Sequence, residues 1–281
     1  MTAVLNINGI SKSYGKVKAL NNLSLQINKG EVFGILGPNG SGKTTTLGII
    51  LEVLNSDSGS FTWNGETPSK YSRKKIGSLL ETPNFYPYLT ARQNLSIVCK
   101  IKEVQESEVT RVLGIVDLLK QRLAIASALL GNPDTLVLDE PTNGLDPQGI
   151  AEIRAIILNL ADEGKTIIMA SHILDEVEKT CTHVAVLKLG NLLTFGPIQS
   201  VLNKQEQVFV SSDNLDMLKL CLGQIEGVNN INATSTKIYL SLDEGKDSAY
   251  LNKALFDKGI VVSEIGIQKS DLEANFLELI K

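Results

Sequence analysis

The 281-residue sequence contains little of what disulfide-rich, zinc-binding or membrane-spanning proteins need. It has 3 cysteines, an odd number, and none of them belongs to a CxxC pair. This argues against a disulfide framework and a structural zinc site, and it favours a reducing compartment. The longest apolar runs, such as residues 47–54, are much shorter than the ~18 residues that cross a bilayer. Since residues 1–9 also lack the basic and apolar regions of a signal peptide, we expect a soluble intracellular protein.

A general excess of basic residues is also absent. The chain has 27 Lys and Arg against 31 Asp and Glu, which gives a net charge of −4. Nucleic-acid-binding proteins need a basic face, so we expect no nucleic acid partner. Hydrophobic residues make up 43% and charged residues 21%, which is typical of globular proteins. The length predicts one large domain or two modest ones.

Strand and helix patterns alternate along most of the chain. Continuous apolar runs predict strands buried on both faces at residues 32–36, 135–138 and 166–170. Apolar residues have helical spacing at residues 44–54, 150–160 and 174–179. This alternation predicts an α/β fold with a mostly parallel central sheet. Near the N-terminus, the alternation of Leu23, Leu25 and Ile27 with polar residues predicts half-buried strands, which we expect to be antiparallel.

The composition changes near Gly196-Pro197, and after Lys204 the elements become short. We predict strands or helices there at residues 208–210, 215–222, 238–242, 250–258, 260–267 and 272–280. The chain is therefore expected to divide into a first domain of residues 1–204 and a small α+β domain of residues 205–281.

A glycine-rich loop follows the first buried strand and precedes a helix. It reads Gly37-Pro38-Asn39-Gly40-Ser41-Gly42-Lys43-Thr44, which fits G-x-x-x-x-G-K-[ST] in the context that the motif needs. Such glycines let backbone N–H groups surround an anion, and the helix N-terminus adds partial positive charge. Lys43 is expected to reach the β- and γ-phosphates, and the Thr44 hydroxyl to ligate Mg²⁺. The alternative is a glycine-rich turn that matches by chance, and the flanking strand and helix argue against it.

Two carboxylates end the apolar strand at residues 135–138. Burying unpaired charge is costly, so Asp139 and Glu140 at this position call for a nearby cation. Mg²⁺ on a bound phosphate would supply that charge. Asp139 is then expected to hold the ion, directly or through water, and Glu140 to act as general base toward the attacking water. The alternative is a solvated strand end without a ligand.

Further motifs follow these acids, namely Pro141-Thr142, Asn143-Gly144-Leu145-Asp146-Pro147 and Ala170-Ser171-His172. Together with the loop and the acids, they resemble the nucleotide-binding subunit of an ATP-binding cassette (ABC) transporter over about residues 4–201. The resemblance implies a P-loop cassette with a helical subdomain, here shortened and at about residues 85–130. It also implies ATP and Mg²⁺ as cofactors. The implied partners are a membrane-spanning permease and a second cassette, the same chain or a different one, at the inner face of the cell membrane.

The resemblance also implies roles for single residues. Tyr14 matches the aromatic that stacks on adenine, and Asp146 the loop that communicates between two cassettes. Glu140 matches the catalytic base, and His172 the switch histidine that contacts the γ-phosphate and positions water. The implied nucleotide and metal contacts are Tyr14, Gly37, Pro38, Asn39, Gly40, Ser41, Gly42, Lys43, Thr44, Thr45, Asp146, Asp139 and Glu81. Tyr14 could equally be a strand-end aromatic, and His172 a hydrogen-bonded structural histidine.

A finer resemblance comes from residues 76–87, which are similar to exporters of the bacitracin and lantibiotic self-protection type. Glu81 stands where most cassettes have a glutamine that senses Mg²⁺ and the membrane subunit. A carboxylate can still ligate the ion, although a surface acid is the alternative. Residues 85–105 are expected near the surface that receives the permease's coupling helix. The alternative is ordinary packing within the helical subdomain.

The sequence departs from the family at the signature motif, of the type Leu-Ser-Gly-Gly-Gln, which is missing. Lys120-Gln121-Arg122 is present, but the preceding residues are Leu113-Gly114-Ile115-Val116-Asp117-Leu118-Leu119. Roughly a dozen or more residues, at least three helical turns, are missing. In the family, the signature of one cassette presents a helix N-terminus to the γ-phosphate held by the other. The loss of one such donor can lower a rate by about 10²–10³.

The first hypothesis is therefore an ATP-hydrolysing subunit that powers a membrane exporter of peptide antibiotics or drugs. A partner cassette with an intact signature would complete one site. The second is a regulatory or degenerate cassette that binds nucleotide with little turnover. A substitute signature around Gly114 is a weaker explanation, since one glycine between Leu113 and Ile115 offers few donors. A cassette ATPase of translation or DNA repair fits least, because the chain has neither two cassettes nor long coiled coils.

Overall fold

The computed structural model describes residues 2–69, 74–80, 85–115, 120–201, 207–243 and 245–268. These residues form two compact units, residues 2–201 and residues 207–268. The helices are α1 Lys43–Ile50, α2 Ala91–Lys102, α3 Ser107–Ile115, α4 Lys120–Leu129, α5 Pro147–Asp162, α6 Leu174–Thr180, α7 Ile198–Val201, α8 Leu215–Leu222 and α9 Ser248–Asp257. The strands are β1 Ala3–Tyr14, β2 Val17–Asn28, β3 Val32–Leu36, β4 Ser58–Trp63, β5 Ile76–Leu79, β6 Thr135–Asp139, β7 Thr166–Ser171, β8 His183–Lys188, β9 Asn191–Pro197, β10 Gln207–Ser211, β11 Val228–Ala233, β12 Ile238–Leu242 and β13 Glu264–Gln268.

The central sheet of the first unit has the strand order β5-β6-β7-β3-β8-β9 within the described residues. Its strands pair in parallel except for β8 with β9 at one edge. All residues of β3, β6 and β7 are buried, as their continuous apolar runs predict. The predicted α/β class with a mostly parallel sheet is confirmed.

An antiparallel sheet of β2, β1 and β4 packs onto the same core. Leu23, Leu25 and Ile27 of β2 are buried, so the predicted alternation and the antiparallel N-terminal strands are confirmed. Trp63 at the end of β4 donates its ring N–H to the carbonyl oxygen of Ile50 at 2.9 Å. This bond joins the second sheet to the end of α1.

Helices α2, α3 and α4 form the helical part of the first unit. Thr90 and Gln93 form a capping box at the start of α2. At the other end of this helix, the ammonium of Lys102 donates to the carbonyl oxygens of Ser127, Ala128 and Leu130 at 3.1–3.3 Å. Lys102 thereby satisfies carbonyl groups that the C-terminus of α4 leaves without an intrahelical partner.

The second unit follows the order β10-α8-β11-β12-α9-β13, and its sheet order is β11-β12-β10-β13. All of its strand pairs are antiparallel. This is the split βαβ arrangement, in which two βαβ units interlock within one sheet. The core of this unit is a cluster of apolar residues that includes Val210, Leu218, Ile238, Leu240 and Leu251.

Some element boundaries differ from the predictions, for local reasons. The helix predicted at residues 44–54 ends at Ile50 because the chain turns at Glu52, whose φ is 56°, and the N–H groups of Val53 and Leu54 bond back to Gly48. β4, β9 and β11 carry few buried apolar residues, so their sequences give no strand signal. Of the element predicted at residues 260–267, only the part from Glu264 is regular, as strand β13, and the element predicted at residues 272–280 lies outside the described residues.

All three cysteines are free. Burial raises the pKa of the Cys99 and Cys181 thiols. No helix in the described part of the chain is both long and apolar enough to cross a membrane.

The buried position of Lys102 generates a pH prediction. Burial lowers the pKa of Lys102 from 10.5 to about 8. Between these values the unfolded chain binds a proton that the folded chain does not, so the free energy of unfolding rises with pH through this window. The parent should therefore gain stability relative to Lys102→Met from pH 8 upward, as measured by urea denaturation at a series of pH values. Lys100→Met, which changes an exposed lysine of the same helix, should run parallel to the parent. A parallel curve for Lys102→Met as well would contradict the assignment.

Candidate active site

Three functional loops meet at one edge of the central sheet. β7 pairs with β6 on one side and with β3 on the other, and all three strands run parallel. Leu36 of β3 aligns with Ser171 of β7, and Asp139 of β6 with Ala170. Because parallel strands end at the same edge, the glycine-rich loop, Glu140 and His172 all follow at that edge.

The glycines of the loop are required by close backbone approaches. A Cβ atom on Gly37 would lie 2.3 Å from the carbonyl oxygen of Leu187. Gly42 has a φ of 107°, and a Cβ atom there would lie 2.6 Å from the carbonyl oxygen of Ala19. The N–H of Gly190, in the turn between β8 and β9, donates to the carbonyl oxygen of Ser41 at 3.0 Å. The loop is therefore shaped by its glycines and held from outside by β2 and the β8–β9 turn.

The loop has the features of an anion-binding site. Gly42 is the N-cap residue of α1, no side chain caps the helix, and its first turn contains no acidic residue. Its first N–H groups have no intrahelical partner and carry partial positive charge. The buried hydroxyl of Ser41 also has no hydrogen-bond partner among the described residues. These donors fit a phosphate group. Pro38, Asn39 and Gly40 form the exposed rim of the loop, followed by the exposed Thr44 and the half-buried Thr45.

Lys43 is 5% exposed, and its ammonium lies among oxygen atoms. It donates to the carbonyl oxygens of Gly37 at 2.8 Å and Pro38 at 3.3 Å. It also lies 3.6 Å from Oε1 of Glu140. The lysine charge is thus held inside the loop and directly joins it to the carboxylate that follows β6.

Glu140 connects the remaining two loops. Its Oε2 lies 2.9 Å from Nδ1 of His172, and its N–H donates to the carbonyl oxygen of Ala170 at 3.0 Å. Since an ionised carboxylate only accepts hydrogen bonds, Nδ1 of His172 must carry the proton in this contact. The structure therefore brings together three residues that the sequence analysis selected, namely Lys43, Glu140 and His172.

Two of the three expected metal ligands, Thr44 and Asp139, lie within the described residues. Asp139 is buried at the end of β6, and Thr44 lies in the first turn of α1. A carboxylate and a hydroxyl oxygen are the donor types that Mg²⁺ prefers, so these residues fit the ion. Glu81 lies outside the described residues. Within the described ranges, no cluster of three or more His, Cys, Asp and Glu side chains could hold a metal by itself.

Tyr14 and Asp146 occupy more peripheral positions. Tyr14 is half exposed at the end of β1, and the Lys12 ammonium lies 5.6 Å from its ring centre. Asp146 is the N-cap of α5, and its side chain accepts a hydrogen bond from the N–H of Gly149 at 2.8 Å. The capping bond gives Asp146 a structural role, whereas its predicted role between cassettes remains a prediction.

Comparison with known proteins identifies the family. A family described as "ABC transporter" matches residues 20–143. The bacitracin transport ATP-binding protein BcrA of Bacillus licheniformis is 35% identical, over 100% of this chain and 98% of its own. This chain belongs to the ATP-binding proteins of ABC transporters. The lantibiotic transport ATP-binding protein SrtF of Streptococcus pyogenes is 38% identical over 76% of this chain and 95% of its own.

Solved structures of this ABC family agree with the fold. CbiO1 from Clostridium perfringens, part of the ABC transporter complex CbiONQ, has a TM-score of 0.64 and 28% identity over 73% of this chain and 92% of its own. The cassette MJ0796, solved as a dimer in a post-hydrolysis state with ADP and Pi, has a TM-score of 0.62 and 26% identity. That match covers 69% of this chain and 98% of MJ0796. The chain is accordingly a nucleotide-binding ABC ATPase.

Two features of the site were not found from the sequence. Gly190 supports the loop from a distant turn, and Glu176 on α6 contacts Thr142 and Ser171. Glu176 is one of several acidic residues in residues 174–180. A group of acids on one helix is typical of an ordinary solvated face. Only its place in the fold distinguishes it from its neighbours, so no sequence signal could have selected it.

The position of Lys43 generates a binding prediction. Lys43→Ala removes a charge-assisted donor to the phosphates, worth about 1.5–3 kcal/mol. We expect affinity for ATP to fall by about 10–100-fold, measured by isothermal titration calorimetry on protein shown to be folded by circular dichroism. Lys253→Ala removes an exposed lysine of the second unit and should leave the affinity unchanged. Equal ATP affinity in parent and Lys43→Ala would remove the phosphate-loop assignment.

Proposed function

We propose that this chain is the ATP-hydrolysing subunit of a membrane exporter of peptide antibiotics or related drugs. The observation that carries the proposal is the contact series from Lys43 through Glu140 to His172 beside a loop suited to phosphate. The names of BcrA and SrtF, which refer to bacitracin and lantibiotic transport, support the substrate class. The chain would work at the inner face of the cell membrane, bound to a permease.

The proposed chemistry assigns one role to each residue. Lys43 and the N–H groups of the loop hold the phosphates, and Tyr14 stacks on the adenine. Thr44 and Asp139 would hold Mg²⁺, with Glu81 as a further ligand. When bound, Mg²⁺ neutralises phosphate charge and orients the transferred group.

Glu140 accepts the proton of the attacking water, and His172 orients that water toward the γ-phosphate. The Nδ1–H of His172 faces Glu140, so the opposite ring nitrogen remains available for the water or the phosphate. The contact thus fixes the orientation of the imidazole ring relative to Glu140.

The missing signature defines what the chain needs from a partner. The match to BcrA aligns all 281 residues over 301 positions, so about 20 positions of BcrA have no counterpart here. α3 ends at Ile115 and α4 begins at Lys120, and residues 116–119 lie outside the described residues. Gly114 lies in the last turn of α3, where helix polarity favours cations over phosphate. A second cassette with an intact signature is therefore the better donor.

The permease would dock on the helical part of the first unit. A cavity of about 470 Å³ opens there, lined by Leu79, Phe85, Tyr86, Val98 and Ile101 among others. Tyr88, just before α2, is 79% exposed, and Ile101 of α2 is 71% exposed. An apolar, aromatic surface of this kind suits a short helix from a membrane subunit.

The alternative is a cassette that binds nucleotide but turns it over little. The absent signature is the observation behind it, and the comparisons give it no support. Turnover measurements bear on the choice between the two functions, since both predict nucleotide binding.

Glu140→Gln tests the proposed function directly. Loss of a general base lowers turnover by about 10²–10⁴, while ATP affinity should stay within about threefold. Phosphate release should be followed at several concentrations of parent and variant, with ATP binding measured in parallel. Glu163→Gln, at an exposed position after α5, is the matched control. Equal, measurable turnover in parent and Glu140→Gln would exclude Glu140 as the base, and binding without turnover in the parent would mean that its sites are incomplete without a partner cassette.

A further inference from the structure

We propose that Glu176 is a positioning residue that fixes the loops of Glu140 and His172 relative to each other. The inference rests on the roles proposed above for those two residues. Glu176 lies on α6 and is 3% exposed, so its carboxylate faces the protein interior. Its hydrogen bonds are made to Thr142 and Ser171, so it acts on Glu140 and His172 through residues close to them in the chain.

One oxygen of Glu176 receives two hydroxyl groups from different loops. Oε2 accepts from the Thr142 hydroxyl at 2.5 Å and from the Ser171 hydroxyl at 3.1 Å. A hydroxyl has a single hydrogen to donate, so both residues commit theirs to this carboxylate. Hydrogen bonds to an ionised acceptor are roughly twice as strong as neutral ones. Glu176 therefore joins the segment after β6 to the end of β7.

The hydrogen bond from the Ser171 hydroxyl to Glu176, here called the Ser171 branch, controls the backbone around His172. The Ser171 hydroxyl donates to Glu176 and accepts from the N–H of Ile173 at 3.0 Å. The hydrogen bond from Ile173 spans His172, and the bond to Glu176 fixes the hydroxyl that accepts it. Removal of the carboxylate would free the hydroxyl to rotate and would loosen the segment that carries the imidazole.

The hydrogen bond from the Thr142 hydroxyl to Glu176, the Thr142 branch, stabilises an unfavourable backbone conformation at Glu140. Glu140 has a φ of 46°, in the left-handed region that non-glycine residues avoid. Such conformations persist only when their surroundings hold them firmly. Thr142 is buried two residues further along, and its bond to Glu176 provides such a constraint.

The buried charge makes a purely stabilising role a poor explanation. Oε1 of Glu176 has no hydrogen-bond partner among the described residues, so half of the carboxylate is desolvated without compensation. Apolar replacement of buried ionic groups is often neutral or even stabilising. The carboxylate is better explained by the orientation that it imposes on the two loops.

The test uses the two histidines of the chain, His172 and His183. Protein labelled with ¹⁵N-histidine reports which ring nitrogen carries the proton, without nucleotide or turnover. In the parent, His172 should have the proton on Nδ1 because this atom faces Glu140. In Glu176→Met, the His172 signals should move toward those of a free imidazole, while the His183 signals stay in place. Unchanged His172 signals in Glu176→Met would overturn the proposal.

Matched variants separate positioning from folding. Glu176→Gln keeps a carbonyl acceptor for both hydroxyls and should retain the parent's His172 signals. Thr142→Val removes one branch with almost no change in shape and should shift the His172 signals in the same direction as Glu176→Met. If Glu176→Met does not fold, Thr142→Val decides, and parent-like His172 signals there would contradict the proposal. Asp175→Asn alters the exposed neighbouring acid and should leave the signals unchanged.

The kcat of the Glu176 variants provides a second, separate test of the positioning role. Glu176→Met should lower kcat by on the order of 10–100-fold, as expected when a catalytic group is misplaced, with ATP affinity within about threefold and recovery in Glu176→Gln. A merely structural residue would lower kcat only in proportion to the folded fraction. A parent without turnover would point to the need for a partner cassette and would leave the role of Glu176 open to the histidine signals, which decide it.

Discussion

The position of β7 between β6 and β3 is the constraint on which the candidate site depends. Because the three strands are parallel and neighbouring, the loops that follow them open at the same edge of the sheet. Lys43 from the first loop lies 3.6 Å from Glu140, which follows β6 and in turn lies 2.9 Å from His172, which follows β7. Each contact bridges elements that are far apart in sequence. A change in strand order would separate the three groups even if every motif were retained.

Much of this arrangement could be predicted from sequence, since local signals and the fold agree. The apolar runs of β3, β6 and β7 predict buried strands, and the strand–loop–helix context predicts the phosphate loop. β4, β9 and β11 were not predicted, because their residues are mostly exposed or half-buried and give no buried apolar run. Glu176 and Gly190 were missed for a different reason. Their roles arise from tertiary contacts, and their residue types are ordinary for a helix and a turn.

The structure also explains how nucleotide binding can persist without the signature motif. The glycines, the uncapped N-terminus of α1, the Ser41 hydroxyl and Lys43 all come from one continuous segment of one chain. The donors that fit a phosphate are therefore all contained within residues 37–45. The donors that family members receive from the opposite cassette are a separate component, and this sequence lacks the segment that would supply them. We therefore expect nucleotide binding and turnover to be separable in this protein.

The central claim is that residues 37–45 of a single chain hold the β-phosphate of the nucleotide. The most direct test is equilibrium binding of ATP, ADP and AMP to the purified chain at concentrations where it is a monomer. The account predicts that ATP and ADP bind with affinities within about tenfold of each other, and that AMP binds at least 100-fold more weakly than ADP, because charge-assisted donors to the β-phosphate contribute about 1.5–3 kcal/mol each. Binding of AMP as tight as that of ADP would contradict the claim, since the loop would then contribute nothing to recognition.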